Sequence, residues 1–160
     1  MMKPTPNAPE GQGPLVLLVQ AAARTVAIPL GDILETLRPL PVEPLQTSRA
    51  SLIGVSVVRG EPVPVVDLAA LLQPGTRGGQ GRWIVLKGKP SGVVLTVDRI
   101  VGLKRLDRSQ MKEVPPLLRE FHTDLAEAIV LQDSHCATLI DASRIPARVP
   151  SVPQLLTVGA

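Results

Sequence analysis

The groups with which this chain could do chemistry are few and far apart. His122 and His135 are its two imidazoles and Cys136 its single thiol, too few and wrongly spaced for a zinc site built on His and Cys. One cysteine forms no intramolecular disulfide, and in its apolar run Cys136 reads as a buried thiol of a reducing compartment. Three carboxylates are set apart by position: Val66-Asp67, Val97-Asp98 and Ile140-Asp141 each close an aliphatic run. An aspartate at such a place accepts backbone N–H groups as a strand gives way to a helix or turn, so all three read as caps and not as catalytic acids. Val58 stands where a nucleophile elbow around Ser56 would need glycine. Gly78-Gly79-Gln80-Gly81 resembles a phosphate loop only weakly, since a strand follows it, and no Gly-Lys-Ser or Gly-Lys-Thr occurs. The residues point to no enzyme, no cofactor and no metal, and leave a module that works through its surface.

Composition narrows the kind of surface. Seventeen basic against fourteen acidic residues give a net charge of +3, with the cations spread along the chain. A nucleic-acid footprint needs them clustered, and single-strand stacking needs aromatic faces on adjoining strands. Trp83 and Phe121 are the only aromatics and lie far apart in sequence. A small basic β-barrel that binds nucleic acid is thus the alternative of another class, and it predicts affinity that falls steeply with salt. No run approaches the roughly 18 apolar residues of a membrane span, and residues 1–14 hold no apolar core of signal-peptide length. A soluble, cytoplasmic protein is expected. At 160 residues the chain fits one domain or two small lobes that share a core.

The elements that would position any site are short and valine-rich. Residues 1–14, with four prolines, read as a disordered segment. Leu15–Val19 and Thr25–Ile28 read as an opening hairpin; Leu30, Ile33, Leu34 and Leu37 fall at helical spacing, with Asp32 and Glu35 spaced as in a capping box. Pro39, Pro41 and Pro44 mark an extended crossover. Next comes the stretch around which the chain is organised. Val55–Val58 and Val63–Val66 read as strands joined by the turn Arg59-Gly60-Glu61-Pro62, with Gly60 as its positive-φ residue. Pro62 and Pro64 lack N–H groups on one edge, which makes the second strand a hairpin partner or a sheet edge. Asp67 caps a short helix stopped by Pro74-Gly75. Residues 74–82 are the clearest internal break, and two similar halves flank it. Trp83–Leu86, Gly92–Val97, Ile100–Leu106, Ala126–Leu131 and Cys136–Ile140 read as further strands, 117–124 fits a helical turn or a loop, and Pro146 stops a last helical turn before a proline-rich tail over 147–160.

The run Leu52-Ile53-Gly54-Val55-Ser56-Val57-Val58-Arg59-Gly60-Glu61-Pro62-Val63-Pro64-Val65-Val66-Asp67-Leu68 resembles the signature of the CheW family of bacterial chemotaxis coupling proteins. Ile33-Leu34-Glu35-Thr36-Leu37-Arg38, Val93–Asp98 and Leu139-Ile140-Asp141 follow in the family's order, and the resemblance covers 15–146. It implies an all-β fold of two small five-stranded, SH3-like β-barrels interleaved in sequence and packed on a shared hydrophobic core, with short helices and no catalysis. It further implies an adaptor that binds the cytoplasmic tip of a chemoreceptor and the regulatory domain of a CheA-type histidine kinase, in receptor arrays that touch the membrane only indirectly. On this pattern Ile33, Glu35, Gly54, Val57, Arg59 and Gly60 are the partner-binding residues, and Glu35 is placed to pair with Arg59. Four departures are visible. Val57 stands where the family usually has Asn, Val94 and Ala128 replace glycines, and the tail is proline-rich where a closing helix is common. These favour, as a variant, a one-sided module that holds the receptor and recruits kinase poorly.

Overall fold

Aliphatic runs favour strands, and the most apolar of them, Trp83–Leu86 and Val93–Val97, are buried on both sides. The computed structural model describes residues 13–88, 92–116, 124–132 and 135–158. Its strands are β1 (Leu15–Ala21), β2 (Arg24–Pro29), β3 (Ile33–Leu37), β4 (Glu43–Pro44), β5 (Leu52–Val58), β6 (Glu61–Asp67), β7 (Arg82–Leu86), β8 (Val93–Val97), β9 (Arg99–Arg105), β10 (Met111–Lys112), β11 (Ala126–Gln132) and β12 (His135–Ile140), and its helices are α1 (Leu68–Leu72), α2 (Ile145–Arg148) and α3 (Val152–Val158). They form two sheets. The first lobe has the strand order β10-β11-β12-β2-β1-β9 and the second β3-β7-β8-β6-β5-β4. Each sheet holds six strands where five were expected, the extra one being the two-residue β10 or β4, and among the described residues neither ladder closes on itself.

Period-two alternation sorts each strand's residues between two cores. Leu17, Val19 and Ala21 of β1 join Ile84 and Leu86 of β7 and Leu95 of β8 in a cluster shared by both lobes. Val16 and Leu18 point the other way, into a core private to the first lobe with Ala27, Val130 and Leu139. Trp83, Val85 and Val94 likewise face a private core of the second lobe with Val58, Val63 and Val65. Helix α1 adds Leu68, Ala69 and Leu72 to the shared cluster, and Leu155 of α3 joins them.

Several expectations are corrected. Residues 33–37 are a strand: backbone pairing with β7, Glu35 against Val85 and Leu37 against Trp83, outweighs the weak helical spacing. A bulge between Ile33 and Glu35 lets the strand change faces, so Ile33 enters the shared core and Leu37 packs on the private one. The break at 74–82 does not divide the lobes; it links α1 to β7 within the second lobe, while the first is built from both ends of the chain. Strand β6 is the expected hairpin partner, pairing with β5 along its length, and its other side pairs with β8 only over Val65–Asp67, beyond both prolines. Pro146 lies inside the first turn of α2 instead of ending a helix, which costs no hydrogen bond there. The tail carries α3, whose Val152 and Leu155 are buried. Cys136 is exposed, because it sits at the outer end of β12. Val94 and Ala128 fill private cores, so neither takes up surface space. The expected disorder over 1–12, the strand connection at 89–91, most of the ambiguous stretch 117–124 with Phe121 and His122, and the centre of the β11–β12 turn lie outside the described residues.

Candidate partner-binding site

Strands β5 and β6 pair in register up to Val58 and Glu61, which leaves a two-residue turn, Arg59-Gly60, in place of the expected four. Both residues have positive φ, +52° at Arg59 and +81° at Gly60. Two-residue hairpins take that backbone because its twist matches the twist of the strands. Gly60 adopts it freely. Arg59 holds it against its own Cβ, an uncommon state for a side-chain-bearing residue outside Asn and Asp.

The Arg59 side chain reaches across the lobe to Glu35 on β3. Its Nε donates to Glu35 Oε2 at 2.6 Å and its Nη2 to Oε1 at 2.7 Å, a fork that matches both carboxylate oxygens. On a flat sheet, β3 and β5 would lie four steps apart, about 19 Å at roughly 4.8 Å per step. The contact therefore requires the second lobe to curl, and the private core around Trp83 fills the curl. Glu35 keeps 17% of its side-chain exposure and Arg59 keeps 75%, so the carboxylate anchors and the guanidinium is displayed. The hydrogen bond from Arg59 holds the Glu35 carboxyl below the usual glutamate range, and the same bond raises the guanidinium.

The other expected residues divide. Val57 is 61% exposed, two residues before Arg59 of the turn. Gly54 is buried beneath β4: a Cβ there would lie 2.1 Å from the Glu43 carbonyl oxygen, so its role is to let two backbones approach. Ile33 is a core residue. The exposed apolar side chains that were not anticipated include Leu34, next to Glu35, and Val101 and Leu103 on the edge strand β9. Leu103 is opposite Leu17 and therefore shares its face, placing it at the rim of the shared core. Alternation in Arg99–Arg105 could flag the strand, but which face is left uncovered depends on the other lobe.

The three aspartates prove to be different devices. Asp67 accepts from the N–H groups of Ala69 and Ala70 and caps α1, and its carboxylate also takes the N–H of Gly78. Asp98 caps no helix; it accepts from Ala22 and from Gly79. The Asp141 carboxylate caps no backbone N–H of the short helical turn 142–144; it bonds instead to side chains of that turn, taking the Ser143 hydroxyl and pairing with Arg144. The glycine-rich loop thus spends the N–H groups of Gly78 and Gly79 on carboxylates, the reverse of a phosphate cradle. A cleft of about 690 Å³ between the β1–β2 turn, α1 and β12 contains Arg24, Gln73, His135 and Cys136, with no carboxylate in its lining, and Arg24 donates to Gln73 Oε1 at 2.8 Å. Among the described residues no group of three or more His, Cys, Asp or Glu is arranged to hold a metal ion.

A hairpin displaying one forked arginine, on two lobes interleaved around a shared core, agrees with the comparison to known families. The family model for the CheW-like domain matches residues 15–149. The chain belongs to the CheW-like domain family. A solved structure, the scaffolding protein TtCheW from Thermoanaerobacter tengcongensis, superposes with a TM-score of 0.72 at 19% identity, covering 84% of this chain and 92% of the other. At that identity the likeness establishes the CheW-like fold. No curated protein matches the sequence. The two-lobed, largely β architecture with short helices is that of the family.

Proposed function

We propose that this CheW-like protein is a non-enzymatic adaptor that couples chemoreceptors to a CheA-type histidine kinase, and that the Arg59–Glu35 turn is its receptor contact. The observation that carries this reading is Arg59 itself, displayed at a positive-φ turn and oriented by a fork from Glu35. A backbone held in an unfavourable region at an exposed tip serves recognition better than stability. Arginine beside apolar groups is the usual composition of an interface anchor, and Val57 and Leu34 supply those groups. The one-sided variant loses three of its supports, since Val94 and Ala128 are buried in private cores and the tail carries α3. Val57 is the departure that reaches the surface. No helix among the described residues is long and apolar enough to cross a membrane, so the receptor would supply the attachment to an array.

Purified protein should co-sediment with a receptor signalling-tip fragment and with the kinase regulatory domain, separately and together. A well-folded sample that binds neither would sink the proposal. The Arg59→Glu variant should keep its circular dichroism spectrum and melting temperature while losing about tenfold in receptor-tip affinity. Equal binding by variant and parent would reduce the turn to a solvated cation.

A further inference from the structure

The chain crosses from the second lobe to the first through a single residue. Val97 ends β8 and Arg99 begins β9, with Asp98 alone between them. The N–H of Asp98 bonds to the first lobe, and its Oδ1 bonds to both lobes. Its N–H donates to the Gln20 carbonyl at 2.8 Å, within the first lobe. Its Oδ1 accepts from Ala22 N at 3.1 Å, in the β1–β2 turn, and from Gly79 N at 2.7 Å, in the loop that precedes β7 of the second lobe. Its carbonyl oxygen lies so near Gly81 that a Cβ there would sit 2.2 Å away. Ala22 meets the carboxylate with a strained backbone, φ +57°, braced by Gln20 Nε2 on the Ala22 carbonyl and by Thr25 on Gln20 Oε1. One carboxylate therefore straps a stiff turn of one lobe to a glycine loop of the other at the point where the backbone itself passes between them.

We propose that Asp98 is a positioning residue that fixes the angle between the two lobes. It thereby sets the spacing between the Arg59 turn on the second lobe and Val101 and Leu103 on β9, which starts one residue after the strap. The apolar contacts of the shared core are non-directional, whereas the strap, like the hydrogen bond from Arg24 to Gln73, is directional. The binding consequence rests on the adaptor reading, whereas the angle itself is measurable without any partner.

The test places spin labels at Glu61→Cys and Lys112→Cys, exposed sites on the two lobes, in a Cys136→Ser background. Dipolar spectroscopy on Asp98→Ala should show the inter-lobe distance distribution about twice as wide as the parent's, and the Ala22 and Gly79 amides should exchange about tenfold faster. Val85 and Val130, in the private cores, should keep their protection. Asp98→Asn retains an acceptor oxygen and should restore the parent distribution. An unchanged distribution in Asp98→Ala, or protection lost equally throughout both lobes, would overturn the assignment. Should that variant fail to fold, Gly79→Ala strains the same strap from the other side, because its Cβ would lie 3.2 Å from the Asp98 carboxyl carbon. A parent-like distribution there would overturn the assignment too. Broadened lobes with undiminished receptor-tip binding would remove the positioning role. Broadened lobes in a protein whose parent binds no receptor tip would leave the strap standing and remove the adaptor reading.

Discussion

The two lobes have the same ingredients and opposite construction. The second, β3 to β8, is one uninterrupted stretch from residue 33 to residue 97, closed by the Arg59–Glu35 fork and centred on Trp83. The first takes β1 and β2 from the beginning of the chain and β9 to β12 from its later part, and its parallel pairing of β12 with β2 joins residues more than a hundred positions apart. Closing a loop of that length is entropically costly before any contact rewards it. Both lobes contain local hairpins, but the β2–β12 pairing of the first closes a loop that holds the whole second lobe. The shared core is what makes two such unequal constructions one unit.

The largest effect should come from breaking that shared core. Leu95→Ala removes a fully buried side chain between the lobes and should cost about 2–5 kcal/mol. Its unfolding, followed by Trp83 fluorescence for the second lobe and by far-ultraviolet circular dichroism for both, should give coincident transitions. Separate midpoints would show that the lobes are independent and that the core is less shared than its contacts suggest.

A smaller effect should separate two aspartates that look alike in sequence. Asp67→Ala removes the cap of α1 and leaves three N–H groups, those of Ala69, Ala70 and Gly78, without their acceptor, for a loss of about 2 kcal/mol in urea unfolding. Asp141→Ala, where the carboxylate meets only Ser143 and Arg144 side chains at the surface, should stay within about 0.5 kcal/mol. Equal losses would mean that the cap contributes nothing that a surface pair does not.

The smallest effect concerns acid. Glu35 titrates below its unfolded value because Arg59 hydrogen-bonds its charged form, so the fork contributes fully above the ordinary glutamate pKa, about 4.3, and is lost as pH falls through the lower folded value. Carboxyl chemical shifts should show Glu35 titrating below that ordinary value in the parent and near it in Arg59→Gln. A normal Glu35 titration in the parent would mean that the fork does not persist in solution. Since the pair closes the second lobe on itself, the first lobe's signals should not move with it.

The contrast between lobes also explains what was legible beforehand. The β5–β6 hairpin, the capping role of Asp67 and the pairing of Glu35 with Arg59 were all anticipated, the last through family resemblance alone. Residues 33–37 were misread because Ile33, Leu34 and Leu37 fit a helix as well as a bulged strand, and only β7 as a partner decides between them. Cys136 was placed in the core from its apolar neighbours, although it lies at the end of β12 that points away from it. Asp98 was grouped with Asp67 by the same aliphatic-aspartate ending. One precedes a helix and the other precedes a strand of the opposite lobe, a difference that no local pattern carries.

By itself the sequence determined the local elements: β-branched valine runs favour strands, and Gly60 permits a tight turn after Arg59. The tertiary structure alone decided which strands from opposite ends of the chain share a sheet, which apolar side chains of β3 and β9 stay at the surface, and what each aspartate holds. The physical reason is range. Strand propensity and turn chemistry act over a few residues, whereas β-pairing and burial are settled by partners tens of residues away, and a carboxylate takes whichever N–H groups that packing brings to it.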